Sequence, residues 1–336
     1  MTRFSTLFLI AVATIPFSCQ QESKKEVLSI SIFDKIYELE NPSLRITGDL
    51  THLYGDNTID EESGKESYQP ATLSFEGIST EAAIPLKIAK RGVTRKRICD
   101  FPPIKLKFSK DTLSNIGLSK FNTYKLVTHC IDSLESLVSK EFLVYKLYNH
   151  FTDNSFRVKK LNMIYEDVSN GKEIRKTAFL IEEDEELAHR LNASLYEGPI
   201  KALDRQQYAQ MVIFQYMIGN TDWNLTNSHN MKWIQKADLP SPTPIPYDFD
   251  FCGLVNAPHA SPHPQMPITS VRERLLQWRG KGKEELREVT AEFSNEKNAV
   301  LSMVNNQAGL SEDEKADISG FIESFYTEVG QSSFYE

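Results

Sequence analysis

Residues 219–233 read GNTDWNLTNSHNMKW, and residues 245–253 read IPYDFDFCG. The first stretch gathers Asn, Asp and His directly behind the apolar segment 203–219 (LDRQQYAQMVIFQYMIG), whose pattern is helical and ends on a glycine. Asp222 is therefore expected in the loop just beyond a helix. The second stretch delivers Asp248 from a short apolar strand. Carboxylate and amide oxygens are hard ligands that suit magnesium, and a carboxylate can also orient a hydroxyl nucleophile. Two such loops could bring Asp222, Asn230 and Asp248 around one metal–phosphate group. The same composition is also that of an ordinary turn, because Asn and Asp bond their own backbone and tolerate left-handed conformations. Spacing alone does not decide between the two.

Upstream, the pattern is that of strands. The stretches 27–34 (VLSISIFD), 42–50, 71–77, 82–92, 101–110 and 124–132 each carry alternating or β-rich signals, and 155–167 and 174–184 resume them around the turn VSNGKE. A polar loop spans 55–70. Residues 132–152 read as a long helix with Leu137, Phe142, Tyr145, Leu147 and Tyr148 near helical spacing. Beyond 202 the pattern turns helical over 203–219, 270–280, 283–294 and 317–329. The fold class expected is α+β with two lobes: tether and first strands over 19–69, a strand-rich lobe over 70–182 and a helical lobe over 183–336. A crevice between lobes is a natural ligand site.

The chain has 336 residues, 40% of them hydrophobic, enough for one sizeable core or a core with an appendage. Its 38 basic and 46 acidic residues leave a formal charge of -8, which argues against nucleic acid as a partner. The first residues, MTRFSTLFLIAVATIPFSCQ, have one basic residue and a short apolar run, the pattern of a secretory leader over 1–18. Ser18-Cys19 closing it looks like the lipidation site of a bacterial lipoprotein, with plain cleavage as the alternative. Gln20 in place of an acidic residue favours an outer-membrane anchor, so the expected location is the cell envelope. Cys99, Cys130 and Cys252 lack metal-like spacing, and one Cys99–Cys130 disulfide is allowed in an oxidising compartment.

These motifs resemble the catalytic segments of CotH-type spore-coat and secreted kinases and, more distantly, HipA and the phosphoinositide kinases. The matching residues are Asn220 to Asp222, then His229-Asn230, then Pro246-Tyr247-Asp248-Phe249-Asp250. Met231 and Lys232 interrupt the match before Trp233. The arrangement is also similar to lipoproteins of Bacteroidota. The resemblance covers about residues 85 to 255 and implies a protein-kinase-like fold that binds ATP and magnesium. It places Asp222 at the acceptor hydroxyl, and Asn230 and Asp248 on the metal, with Asp250 and Asn227 in reserve. Lys105 and Lys107 share a face of the strand PIKLKF. One of them, Lys105 by preference, would reach the nucleotide phosphates, paired with Glu141. No GxGxxG run is present, so the basic turn with Arg91 and Arg95 is expected over the phosphates, and AFLIEED (178–184) at the adenine. A protein or glycan acceptor fits this reading, and the sequence does not say which. The alternative is a pseudokinase, or an envelope binding or structural lipoprotein without catalysis, since ATP is scarce outside the cytoplasm. His259 and His263 lie in a proline-rich connector near the expected cleft.

Overall fold

Alternating apolar residues through the first half of the chain close a barrel. In the computed structural model, which describes residues 30–54, 67–75, 83–92 and 94–336, seven strands form it: β1 (Ser43–Gly48), β2 (Gln69–Phe75), β3 (Ile84–Lys90), β4 (Ile104–Phe108), β5 (Thr123–Val127), β6 (Val158–Asp167) and β7 (Lys172–Ile181). Their order is β1-β2-β3-β4-β5-β7-β6. All pairings are antiparallel except the closing one, where β1 runs parallel to β6 from Ser43↔Asn162 to Gly48↔Asp167. Closure removes the exposed edges an open sheet would carry. The strand-rich lobe is thus a closed barrel and not the open sheet of an ordinary kinase lobe. Its interior is filled by residues such as Ile46, Leu73, Ile88, Leu106, Leu126 and Tyr165.

Three helices decorate this part: α1 (Ile32–Glu38), α2 (Arg95–Ile98) and α3 (Lys110–Asn115). Over Ile32–Asp34 the strand expectation fails, while residues 27–29 lie outside the described ones. Ser31 and Asp34 form a reciprocal capping box that starts a helix, and Ile32, Phe33 and Ile36 are buried against the barrel core. The leader, Cys19 and most of the polar loop lie outside the described residues.

The long helix α4 (Ser136–Phe151) packs on β7 and opens the second core. That core continues through α6 (Arg205–Met217), α7 (Leu286–Asn295), α8 (Lys297–Asn305) and α9 (Glu312–Val329), with α5 (Asp184–Arg190) directly after β7. This half is not purely helical. It holds a three-stranded sheet of β8 (Ala193–Leu195), β9 (Met231–Lys236) and β10 (Thr243–Pro246), in the order β10-β9-β8. Pro244 and Pro246 are tolerated because β10 is an edge strand. The helix expected over 270–280 does not form; residues 271–273 turn and the rest runs as an irregular strap. Arg272 and Arg274 stack on Phe321 at 4.2 and 3.9 Å, and Arg274 also meets Glu328 and Ser324 at 2.9 and 2.8 Å. These bonds to α9 outweigh a local helix. No helix among the described residues is long and apolar enough to cross a membrane.

Candidate active site

Helix α6 stops at Gly219, whose φ of +64° is the left-handed conformation that closes helices. A side chain there would also collide with Phe321 at 2.9 Å. The loop beyond is built by its own polar groups. Buried Asn220 accepts the Asp222 N–H at 3.0 Å and donates to Gln215 at 3.0 Å. Trp223 donates to the Asn220 carbonyl at 3.2 Å and packs with Tyr208, Met211 and Trp233. Asn224 and His229 exchange both backbone hydrogen bonds at 3.1 Å, so the loop doubles back on itself. That return sets His229 Nε2 3.0 Å from Asp222 Oδ1 and the Asn230 amide 2.9 Å from Asp222 Oδ2.

The two acidic stretches meet at Asn230. Its side chain donates to the Asp222 carbonyl at 2.8 Å, while its own carbonyl accepts the Tyr247 N–H at 3.1 Å. That backbone bond continues the β9–β10 ladder one pair beyond Met231↔Pro246. A second tie runs behind, where Gly253 N–H donates to Gly219 O at 3.0 Å and Leu254 N–H to Ile218 O at 2.9 Å. Asn227 is exposed at the tip of the loop, where it accepts the His229 N–H at 3.2 Å. Of the two asparagines considered from the sequence, Asn230 is the one beside Asp222.

Helix α4 supplies the other wall. Glu141 and Tyr145 lie four residues apart, hence on one face; Tyr145 meets the segment 248–250 directly and Glu141 is joined to it through Arg95. The Tyr145 hydroxyl accepts the Asp248 N–H at 2.9 Å. Phe249 is fully buried, edge-on to Tyr145 at 4.8 Å and to Phe214 at 6.0 Å. Asp248 itself has φ +63° and Asn230 φ +53°, conformations that non-glycine residues rarely hold and that Asn and Asp tolerate best. Such strain concentrates where a chain is held for function.

The cation facing Glu141 is Arg95, and the expected Lys105–Glu141 pair is not formed. Arg95 reaches Glu141 at 2.6 Å and Asp250 at 2.7 Å, with all three side chains largely buried. Arg95 is therefore committed to two carboxylates and is not a loose cation over phosphates. Its backbone comes from the short helix α2, which the Cys99–Cys130 disulfide fastens to the start of the α4 segment. Burial pushes the Asp250 carboxyl up, Arg95 opposes it, and the charges of Asp248 and Asp222 push it further. Burial likewise raises Glu141 against Arg95, with Asp250 and Asp248 adding to the rise. One Glu141 oxygen, Oε1, is buried without a hydrogen-bond partner. Asp222, Asp248 and Asp250 thus share one electrostatic neighbourhood. Among the described residues no three His, Cys, Asp or Glu side chains are spaced to hold a metal by themselves.

Lys105 is half-buried and Lys107 exposed, with Lys107 5.3 Å from the Tyr68 ring centre. The sequence reading missed a second cationic cluster. Lys125 of β5 and Lys232 of β9 both bind Asp184, at 2.8 and 2.9 Å, so one carboxylate joins the barrel to the second half of the chain. Both ammonium groups lie over the Tyr247 ring, at 4.7 and 5.9 Å. Burial lowers the Lys125 ammonium against the pull of Asp184, and the charges of Arg91 and Lys232 add to the lowering. Arg91 is thereby placed within electrostatic reach of this cluster. Strand alternation was the signal available for Lys125; no motif marks it.

No protein-family model and no curated protein matches this sequence. Among solved structures, the chain is similar to the crystal structure of a Helicobacter pylori proinflammatory kinase, CtkA, at 11% identity and a TM-score of 0.38. That alignment covers 71% of this chain and 90% of the other. Likeness at this level assigns neither a family nor an activity.

Proposed function

We propose that the protein is a kinase-like phosphotransferase of the cell envelope, using ATP and magnesium and anchored at the outer membrane through lipid on Cys19. The observation that carries the reading is the clasp at Asn230, which holds the Asp222 loop and the Asp248–Asp250 segment together. The donor set fits magnesium, which usually takes only one or two carboxylates and completes its shell with phosphate and water oxygens. Asp248 and Asn230 would hold it, with Asp222 and Asp250 close enough to add negative charge. When bound, the metal would neutralise phosphate charge.

In this reading Asp222 accepts the proton of the acceptor hydroxyl as that oxygen bonds to the γ-phosphorus. The bond from the γ-phosphorus to the β,γ-bridging oxygen breaks, and ADP leaves. His229 and Asn230 hold the Asp222 carboxylate in place. Lys125, Lys232 and Arg91 are the cations at hand for phosphates, beside Lys105 and Lys107 on the neighbouring strand. A second reading, binding without turnover, is favoured by one observation: Glu141 and Asp250 are both already engaged by Arg95. ADP release and self-labelling by γ-labelled ATP separate the two. The proposal expects Mg-dependent turnover, at least about a hundredfold lower in Asp222→Asn. Turnover equal in both proteins, or absent from the wild type, would overturn it.

A further inference from the structure

A groove of about 780 Å³ opens along the outer side of the Asp222 loop. Leu225, Thr226 and Ser228, between Asp222 and Asn230, form one wall. The segment before α6 and residues 278–281 form the others, so the groove adjoins the loop that carries Asp222. Over a chain of net charge -8, the groove is lined by no acidic residue. Among the described residues, its exposed cations Lys201, Arg279 and Lys281 make no ion pair, whereas Arg205 is taken up by Glu285.

Its apolar surface combines the aliphatic Ile200, Leu203 and Leu225 with the aromatic Tyr208 and Trp278. Tyr208 stacks on one face of the large aromatic Trp278 at 5.0 Å and 17°, and Gly280 lies so close to the ring that a Cβ there would come within 2.1 Å of it. Sugars bind by laying a ring on an open aromatic face, and Trp278 keeps at most one. Aliphatic and acidic side chains suit what remains.

Resting on the phosphotransferase reading, we propose that this groove is the acceptor site and that the acceptor is an acidic polypeptide segment. An aliphatic or aromatic residue next to the receiving hydroxyl would enter the apolar floor, and flanking carboxylates would meet Lys201, Arg279 and Lys281. Complementary charge of this kind sets partner choice and encounter rate and weakens with salt.

The test uses fluorescence anisotropy of a labelled peptide, Glu-Glu-Leu-Ser-Phe-Glu-Glu, on the full chain. Its counterpart has lysine for every glutamate, and polygalacturonate serves as the anionic sugar competitor. The acidic peptide binds, the lysine peptide does not, and the combined variant Lys201→Glu, Arg279→Glu, Lys281→Glu binds at least about tenfold more weakly. Its melting temperature and Mg-ATP binding stay those of the wild type. Absence of acidic-peptide binding, equal binding by the variant, or displacement by polygalacturonate more readily than by unlabelled peptide overturns the proposal. Peptide binding that follows this pattern in a protein that binds no Mg-ATP supports the groove and defeats the phosphotransferase reading.

Discussion

Replacing Arg95 by methionine isolates the most consequential contact in the site. Its guanidinium is the shared partner of Glu141 and Asp250, whose side chains are 3% and 13% exposed. Methionine keeps the apolar stem and deletes the charge. Removing one partner of a buried pair costs about 3–5 kcal/mol, because the remaining charge is left desolvated. Here two carboxylates are stranded, and Glu141 Oε1 already has no hydrogen-bond partner, so the upper part of that range applies. At about 2 °C per kcal/mol for a chain of this size, the melting temperature falls by roughly 8–10 °C. The deficit should also depend on pH. Burial raises both carboxyls, and losing Arg95 removes the group that opposed the rise. A carboxyl raised in the folded state destabilises it at high pH and is relieved as protons bind, so the gap to wild type narrows from pH 8 toward pH 5. Thermal melts across that range, with Arg95→Lys as an intermediate, provide the assay. A deficit under about 1 kcal/mol, or one that ignores pH, would refute the picture of a buried triad.

Three further outcomes are expected. Burial pushes the Glu186 carboxyl up to about 7, above the unfolded value, so wild-type stability falls as pH rises through about 4.5 to 7 by at most about 3 kcal/mol. Glu186→Gln keeps polar atoms for Ser31 and Tyr124 and should gain on wild type over that window in urea titrations at its two ends. Opening the Cys99–Cys130 bridge, whose ends are 31 residues apart, should cost about 3–4 kcal/mol. Melts with and without reductant measure it, and of these cysteines only Cys252 should react with a thiol reagent in denaturant. Gly253→Ala would set a methyl 2.3 Å from the Val271 carbonyl, a backbone clash costing about 1–3 kcal/mol and loosening the tie behind the Asp222 loop.

Strands with an alternating inner face were legible, because Ile84, Leu86 and Ile88 or Ile104, Leu106 and Phe108 announce a buried side by themselves. Barrel closure was not, since the β1–β6 junction is a parallel pairing across more than a hundred residues that no local pattern encodes. Helix α1 hid inside an alternating stretch because its signal is a cap and not a period. The strap 270–280 misled in the opposite direction: its helical spacing is real, but Arg272 and Arg274 find partners on α9 from an irregular segment. At the site, the closeness of the two acidic stretches and of Asn230 to Asp222 was legible, because short-range turns largely determine it. The sequence could not pair Glu141 with Arg95, because that contact depends on how α2 folds over α4 behind a disulfide. The pairing of Lys125 with Asp184, the last residue of the segment expected at the adenine, was missed for the same reason, since only the tertiary fold makes the two neighbours.

Isothermal titration of Mg-ATP into the full chain tests the central claim most directly. The account predicts saturable binding that survives Asp222→Asn and is lost in Asp248→Ala, the first residue serving the acceptor and the second the metal. No binding up to about 1 mM ATP, the top of the usual KM range, or binding indifferent to Asp248→Ala, would contradict it.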